Sequence, residues 1–201
     1  MKTRSIISIA LLALVLVVQS CEKEPRIYGE GRITTETLSV SEFTGIQLTG
    51  VSDIHIFYGP EQKVEATGHP NIIARIQQKV VNNIWYIELE DGNYGQFELE
   101  YEITIPYIDL IRSIGTGDVM IEDEFKAARV DICLNGTGNF DGFLLEAKKA
   151  TVEITGTGSC EITATESLDA ILEGTGSLYY RGNPVINADV SGTGKVINAN
   201  D

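Results

Sequence analysis

The repeat that organises this chain is clearest in Thr151-Val152-Glu153-Ile154-Thr155-Gly156-Thr157-Gly158-Ser159-Cys160-Glu161-Ile162. Its central Gly-Thr-Gly triplet occurs five times, with spacings of 21, 20, 18 and 18 residues. Ten of the twenty glycines belong to these triplets. A self-similar period near 20 residues is the mark of a stacked repeat, so the second half of the chain is predicted to consist of repeated structural units.

Short alternating runs flank each triplet. Val152 and Ile154 precede Gly156-Thr157-Gly158 on one face, and Cys160 and Ile162 follow it. A period of two indicates β-strands with one buried face. The inward positions, aligned on the five triplets, are Ile111 and Ser113, Ile132 and Leu134, Val152 and Ile154, Ala170 and Leu172, and Ala188 and Val190 before them, and Val119, Phe140, Cys160, Leu178 and Val196 after them.

This pattern predicts an all-β fold, a single-stranded right-handed β-helix or β-solenoid with coils of about 18–21 residues. Each coil would bury its apolar face only by stacking on its neighbours. Glycine enters positive φ without a Cβ penalty and lets corners approach closely, so the triplet glycines are predicted to form structural turns. They are Gly115, Gly117, Gly136, Gly138, Gly156, Gly158, Gly174, Gly176, Gly192 and Gly194. A phosphate-binding loop is disfavoured, because strands rather than a helix follow every triplet.

The first half continues the theme less regularly. The run from Gly45 to Ile56 is predicted to be a degenerate coil in which Ser52 replaces the second glycine. Strands are predicted around 63–66, 84–90 and 97–105, while the apolar spacing of residues 71–79 fits either a helical turn or a short strand.

The N-terminus predicts an exported lipoprotein. Lys2 and Arg4 precede an apolar run from Ile6 to Val18, which is typical of a signal peptide. Val18-Gln19-Ser20-Cys21 resembles a lipobox, with Gln19 in place of the usual small residue. The predicted organisation is a signal peptide over 1–20, a lipidated N-terminus and tether over 21–42, and the β-solenoid domain over 43–201. Several acyl chains on Cys21 would anchor the protein durably to the outer membrane, facing the periplasm or the exterior.

The formal net charge of −14 argues against a nucleic-acid partner. It suits an exported, soluble body. The partners predicted are therefore the membrane, through Cys21, and an unknown glycan or protein ligand, with a homo-oligomer as a further possibility.

Three motifs carry a family resemblance. They are Phe43-Thr44-Gly45-Ile46 with Gly50-Val51-Ser52-Asp53-Ile54-His55-Ile56, then Ile103-Thr104-Ile105-Pro106, and then Ile111 with Gly115-Thr116-Gly117-Asp118-Val119. Over about residues 40–195 the chain resembles the family called putative auto-transporter adhesin, head GIN domain. The resemblance implies a β-helix-like body in an exported bacterial protein, and it brings no catalytic or binding residues with it.

The residues themselves indicate little chemistry. His55 falls at an outward strand position and His69 in a turn, and neither has a cysteine or a second histidine at ligand spacing. Cys133 is predicted to face outward and Cys160 inward, so they are not expected to form a disulfide. No catalytic residue, metal site or cofactor is predicted, although outward carboxylates leave a Ca²⁺ site open.

Two classes of function remain. The first is a non-catalytic adhesin-like or scaffold module, which the sparse basic residues favour; Lys148-Lys149 is the only cluster of cations. The second is a polysaccharide lyase or hydrolase, which needs paired carboxylates across a cleft. The outward candidates for such pairs are Glu153, Glu161, Glu173 and Asp169, and the candidate glycan-binding aromatics are Tyr28, Tyr58, Tyr94, Tyr107 and Tyr179.

Overall fold

A computed structural model describes residues 25–200 of the chain, so the predicted signal peptide and Cys21 lie outside the described residues. Within that range the structure contains fifteen β-strands and one short helix. The elements, in chain order, are β1 (Thr34–Thr37), β2 (Gly45–Gly50), β3 (Asp53–Tyr58), β4 (Lys63–Gly68), α1 (Pro70–Ile73), β5 (Lys79–Val81), β6 (Ile84–Ile87), β7 (Leu99–Ile105), β8 (Leu110–Gly115), β9 (Val119–Ile121), β10 (Phe125–Gly136), β11 (Phe140–Ile154), β12 (Cys160–Leu172), β13 (Leu178–Arg181), β14 (Val185–Val190) and β15 (Val196–Asn198).

The strands around the triplets pair in parallel, in the register that the triplets predict. Ile132 of β10 lies between Ile111 of β8 and Val152 of β11. On the other side of the triplets, Cys160 of β12 lies between Phe140 and Leu178. The alignment of the inward positions is therefore confirmed, because in-register parallel pairing places equivalent side chains of successive strands beside one another.

The predicted β-helix is wrong. The fifteen strands form one mixed sheet, in which eleven strands follow the order β1-β4-β7-β3-β9-β11-β10-β8-β2-β6-β5. In a solenoid each coil contacts only its neighbours in the chain, whereas here β4 pairs antiparallel with β1 and β7, and β5 pairs antiparallel with β6. The triplet period reports only the register between neighbouring parallel strands. A mixed sheet with a parallel centre satisfies that register as well as a β-helix does.

The sheet curves around a single core. β2 and β3 are consecutive in the chain, and four strands separate them in the sheet, yet Ile46 of β2 and Ile54 of β3 are both fully buried in the same apolar cluster. Trp85, Tyr101 and Phe140 are among the largest side chains of that cluster. Each strand has one apolar face, as the period of two predicts. The curvature brings the apolar faces of strands that are distant in the sheet together in one core.

Close stacking explains the triplet glycines. A Cβ atom on Gly156 would overlap the carbonyl oxygen of Gly136, and a Cβ on Gly158 would overlap that of Gly138. The same overlap with the preceding strand's corner recurs at all ten triplet glycines. Backbone hydrogen bonds cross the same gap; for example, the Thr157 amide donates to the Gly136 carbonyl at 2.8 Å. Among the triplet glycines, φ is positive only at Gly115 (144°) and Gly136 (154°). The general reason for glycine at these positions is therefore the close approach of the neighbouring strand's backbone, and not the backbone conformation.

The antiparallel part is built by the first half of the chain. β1 lies within residues 21–42, the segment predicted to be a tether, and pairs with β4. Residues 71–79, which were ambiguous in the sequence, contain the end of α1 and the start of β5. A two-residue hairpin turn joins β5 to β6, with Asn82 and Asn83 at φ values of 52° and 61°, as a type I′ turn requires.

The opposite end of the parallel centre is open. All six residues of β14 are exposed, and β14 pairs only with β12. Ala188 and Val190 occupy positions whose equivalents in β12, Ala170 and Leu172, are buried. The core positions at this edge are uncovered because no further described strand stacks on them.

Candidate functional site

Two adjoining cavities, of about 600 and 390 Å³, form a continuous groove at the end of the sheet away from the triplets. They share Thr44, Asn83 and Tyr107, and we call them together the Tyr107 groove. Its walls come from the chain segments before β2 and after β3, from the β5–β6 turn, from the connection between β7 and β8, and from the middle of β10. The lining residues are Val40, Glu42, Phe43, Thr44, Pro60, Glu61, Gln62, Asn82, Asn83, Ile84, Pro106, Tyr107, Asp109, Leu110, Arg129 and Asp131.

Backbone and side-chain hydrogen bonds fix the floor of this groove. The Thr44 amide donates to the Asn83 carbonyl at 2.9 Å, and the Thr44 hydroxyl donates to Asp109 Oδ2 at 3.3 Å. Gln62 Nε2 donates to the carbonyls of Val40 and Ser41, both at 3.1 Å. These bonds tie four separate segments together, so the groove is formed before any ligand arrives.

The groove presents several groups that can contact a ligand. Tyr107 is 39% exposed. Asn82 and Asn83 are exposed, and no described residue hydrogen-bonds to either side-chain amide. Arg129 is oriented by Asp131, which accepts from Arg129 Nε at 3.0 Å and from Nη2 at 3.2 Å. An aromatic ring, two free amides and a fixed guanidinium are the mixture of apolar and directional polar groups found in binding sites for polar organic ligands.

Of the groove residues, the sequence analysis identified only Tyr107. Asn82 and Asn83 were missed, although Asn-Asn between the apolar pairs Val80-Val81 and Ile84-Trp85 is a hairpin signal that would have placed them in a turn. Arg129 and Asp131 carried no such signal, since they lie inside a long strand. They reach the groove because β10, β8, β2 and β6 lie side by side, with Asp131, Leu110, Gly45 and Ile84 in register.

The other candidate tyrosines lie apart from the groove. Tyr28 packs over Gly95, and Tyr94 donates its hydroxyl to the Glu90 carbonyl at 2.7 Å. Tyr58 makes an edge contact with Phe125, with ring centroids 5.6 Å apart. Tyr179 stands between Glu161 and Ile197 in the sheet. The five tyrosines therefore do not form one aromatic surface.

The histidines have structural partners. The His55 ring faces outward, as predicted, with Nδ1 2.6 Å from Glu122 Oε1 and Nε2 3.1 Å from Glu100 Oε1. His69 Nδ1 accepts the Glu98 amide at 3.1 Å. Among residues 25–200, no three His, Cys, Asp or Glu side chains are grouped as metal ligands.

The four outward carboxylates do not pair with one another. Glu153 stands beside Cys133 and Ile171, Asp169 beside Thr151 and Asn187. Glu161 lies on the other side of the triplets, as the register neighbour of Asp141. Glu173 begins the corner after β12, where its amide donates to the Ile154 carbonyl.

Asp141 and Glu161 are the carboxyl groups with perturbed acidity. Partial burial raises the pKa of Asp141, and the charges of Asp118 and Glu122 raise it further. Partial burial also raises the pKa of Glu161, with Asp141 as the next cause. Neither residue lines the Tyr107 groove, so the carboxyl groups of raised pKa are separated from it.

The cysteines follow the predicted facing. Cys133 is partly buried beside Glu153, and Cys160 is fully buried; both are free. Burial raises the pKa of both thiols, and neighbouring carboxylates add to the effect. A raised pKa lowers the thiolate fraction, so neither cysteine is a reactive nucleophile.

No helix within residues 25–200 is long and apolar enough to span a bilayer.

Comparison with solved structures supports the fold. The structure resembles that of a putative adhesin from Bacteroides fragilis, with a TM-score of 0.59 and 24% identity over 84% of this chain and 98% of the other. A putative adhesin from Parabacteroides merdae covers 87% of this chain, and is itself covered fully, at 14% identity and a TM-score of 0.49. A putative lipid binding protein from Parabacteroides distasonis covers 86%, again with full coverage of its own chain, at 16% identity and a TM-score of 0.49.

Comparison with curated proteins gives no match. The model of one family, however, matches residues 42–142 and 126–184, which together span most of the chain. The matched range contains β2 to β13, and so includes most of the parallel centre of the sheet as well as most of the antiparallel part of the first half. The chain belongs to the family described as putative auto-transporter adhesin, head GIN domain.

Proposed function

We propose that the protein is a non-catalytic, adhesin-like interaction module of the bacterial cell envelope, and that it binds a glycan in the Tyr107 groove. The family to which the chain belongs supports the first part of this proposal. The observation that supports the second is the half-exposed Tyr107 ring beside the free amides of Asn82 and Asn83 in a preformed polar groove.

A pyranose ring offers an apolar face of C–H groups and a rim of hydroxyls. An aromatic side chain with a polar tip can cover the face. An Asn amide can donate to one hydroxyl and accept from the next, because it carries both kinds of group. Loops held by a rigid scaffold are the usual place for such contacts, and the hydrogen bonds of Thr44 and Gln62 provide that rigidity here.

The distance between the Tyr107 groove and the carboxyl groups of raised pKa supports a binding role rather than catalysis. Glycoside hydrolysis requires one carboxyl group of raised pKa to face a second across the bound sugar. Here the carboxyl groups of raised pKa, Asp141 and Glu161, lie outside the groove, and Asp131 within it is engaged by Arg129. The enzyme alternative would have to use Glu42, Glu61 or Asp109, which also line the groove, or the neighbouring Asp141 and Glu161 outside it.

We propose further that the acylated Cys21 attaches the module to the outer membrane. Ile27, six residues after Cys21, already donates its amide to the Asn93 carbonyl of the body, so the body would sit close to the lipid surface. Fractionation of cells that produce the full chain tests this: the protein should be in the outer-membrane fraction, and a Cys21→Ala variant should leave it.

The glycan proposal is tested on a glycan array with the full chain, its Tyr107→Ala variant and a Tyr58→Ala control. Tyr58 is a matched control because it is also an exposed tyrosine, 56% exposed, but lies outside the groove. We expect binding by the wild type and the control and its loss in Tyr107→Ala. Glycan binding that survives Tyr107→Ala contradicts the Tyr107 groove as the binding site. If the protein binds no glycan but binds proteins on an array of host-matrix proteins, the proposed ligand class is wrong.

A further inference from the structure

A further cavity, of about 480 Å³, lies between the β2–β3 corner and the loop that joins β6 to β7. We call it the Tyr101 cavity. Its inner wall is formed by the buried side chains of Leu48, Ile87 and Tyr101, which also belong to the core. A site of this size can enclose a small organic molecule.

The hydroxyl of the buried Tyr101 side chain has no hydrogen-bond partner among the described residues. The side chain is 1% exposed. Its ring is held in place by Trp85, edge to face with centroids 5.8 Å apart. A buried tyrosine hydroxyl normally has a partner. The hydroxyl is not among the fully buried unpartnered atoms of the described residues, so it can be reached from the cavity that Tyr101 lines, by water or by a ligand.

The mouth of the cavity carries negative charge. Glu88, Glu90 and Asp91 line it. Among the described residues, the only cation that forms an ion pair with any of these three is Arg75, whose Nη1 lies 3.6 Å from Glu90 Oε2. An anionic ligand would be repelled at this mouth, whereas a cation would be attracted. The floor and the mouth together select a molecule with an apolar body and a positively charged end.

We propose that the Tyr101 cavity binds a small organic cation with an apolar body, and that the Tyr101 hydroxyl oxygen accepts a hydrogen bond from its ammonium group. This inference does not depend on the Tyr107 groove, because the two sites share no lining residue.

Calorimetric titration of the full chain with three probes of the same body tests the charge selection. The probes are 4-phenylbutylamine, 4-phenylbutanol and 4-phenylbutyrate. We expect the amine to bind more tightly than the alcohol and the carboxylate to bind most weakly. Equal binding of the three, binding strongest for the carboxylate, or no binding of the amine overturns the proposal.

Tyr101→Phe tests the hydroxyl. The substitution keeps the ring and removes a group with no partner in the protein, so the fold is expected to be unaffected, which a thermal melt verifies. It should weaken amine binding by about three- to tenfold, the equivalent of one hydrogen bond. Glu88→Gln provides a second variant at the mouth and should reduce the preference for amine over alcohol. Tyr107→Phe is the matched control and should change neither. Unchanged affinity in Tyr101→Phe overturns the role of the hydroxyl.

Discussion

Replacing Gly156 by alanine separates the close-approach explanation of the triplets from the conformational one. The φ of Gly156 lies outside the left-handed region, so alanine can adopt its backbone conformation. On that ground alone, Gly→Ala should stabilise the protein by about 0.4–1 kcal/mol, because it reduces the entropy of the unfolded chain. The structure predicts the opposite sign, since the new Cβ would overlap the Gly136 carbonyl oxygen.

The expected size follows from what must move. The obstacle is backbone, which cannot rotate away as a flexible side chain would, and overpacking of this kind costs about 1–3 kcal/mol. Separating the two corners also weakens the Thr157 amide bond to Gly136, 2.8 Å long, which contributes about 0.5–1.5 kcal/mol. After the entropic gain is subtracted, we expect a loss of about 2 kcal/mol. For a chain of this length that lowers the melting temperature by about 4–8 °C.

Two matched variants isolate the causes. An alanine Cβ at Gly50 would meet nothing within 4 Å, but φ there is 137°, so Gly50→Ala measures backbone strain alone, about 1–3 kcal/mol. Glu153→Ala removes an outward side chain and should change stability by about 0.5 kcal/mol or less. Gly136→Ala combines overlap with a φ of 154° and should be worse than Gly156→Ala. Gly192→Ala should be milder, because the last strands are exposed and open locally.

Thermal and urea unfolding of the full chain provide the assay. Fluorescence of the single tryptophan, Trp85, which is fully buried, reports on the core, and far-ultraviolet circular dichroism reports on the sheet. A Gly156→Ala variant that melts at or above the wild-type temperature would show that the corners are not in backbone contact, and would refute this account of the triplets.

Three further predictions concern the N-terminus, the thiols and the acidic face. Mass spectrometry of the membrane-extracted protein should find an acylated N-terminal Cys21; an unmodified or uncleaved N-terminus contradicts it. Titration with a thiol reagent should label Cys133 slowly in the native protein and Cys160 only after unfolding, because Cys160 is fully buried; a disulfide between them would contradict the register. Since the folded-state pKa values of Asp141 and Glu161 are raised, ionising them costs stability as pH rises through and above their usual values near 4. Asp141→Asn should therefore raise the melting temperature at pH 7 and lose that gain below about pH 4; a gain that persists in acid would have another cause.

The register of the parallel strands could be predicted from the amino-acid sequence. The triplets at Gly136 and Gly156 mark equivalent corners, and the period-two alternation around them assigns each side chain to the core or to solvent. Both signals are local, because a strand's inward and outward positions depend only on parity and a corner's glycines only on the strand stacked against it. That is why Cys133 and Cys160 were placed on the correct faces without a structure.

The order of the strands in the sheet could not be predicted in the same way and required the three-dimensional structure. The same register is compatible with a β-helix and with a curved mixed sheet, and the choice depends on antiparallel pairing between β4 and β7 that no triplet marks. Both candidate sites follow from that arrangement. Asn83 and Arg129 are distant in the chain and line one groove because β10, β8, β2 and β6 are neighbours in the sheet. Tyr101 has the sequence pattern of one more alternating core residue. Its missing hydrogen-bond partner is a property of its surroundings, and the surroundings are assembled from segments that the sequence does not bring together.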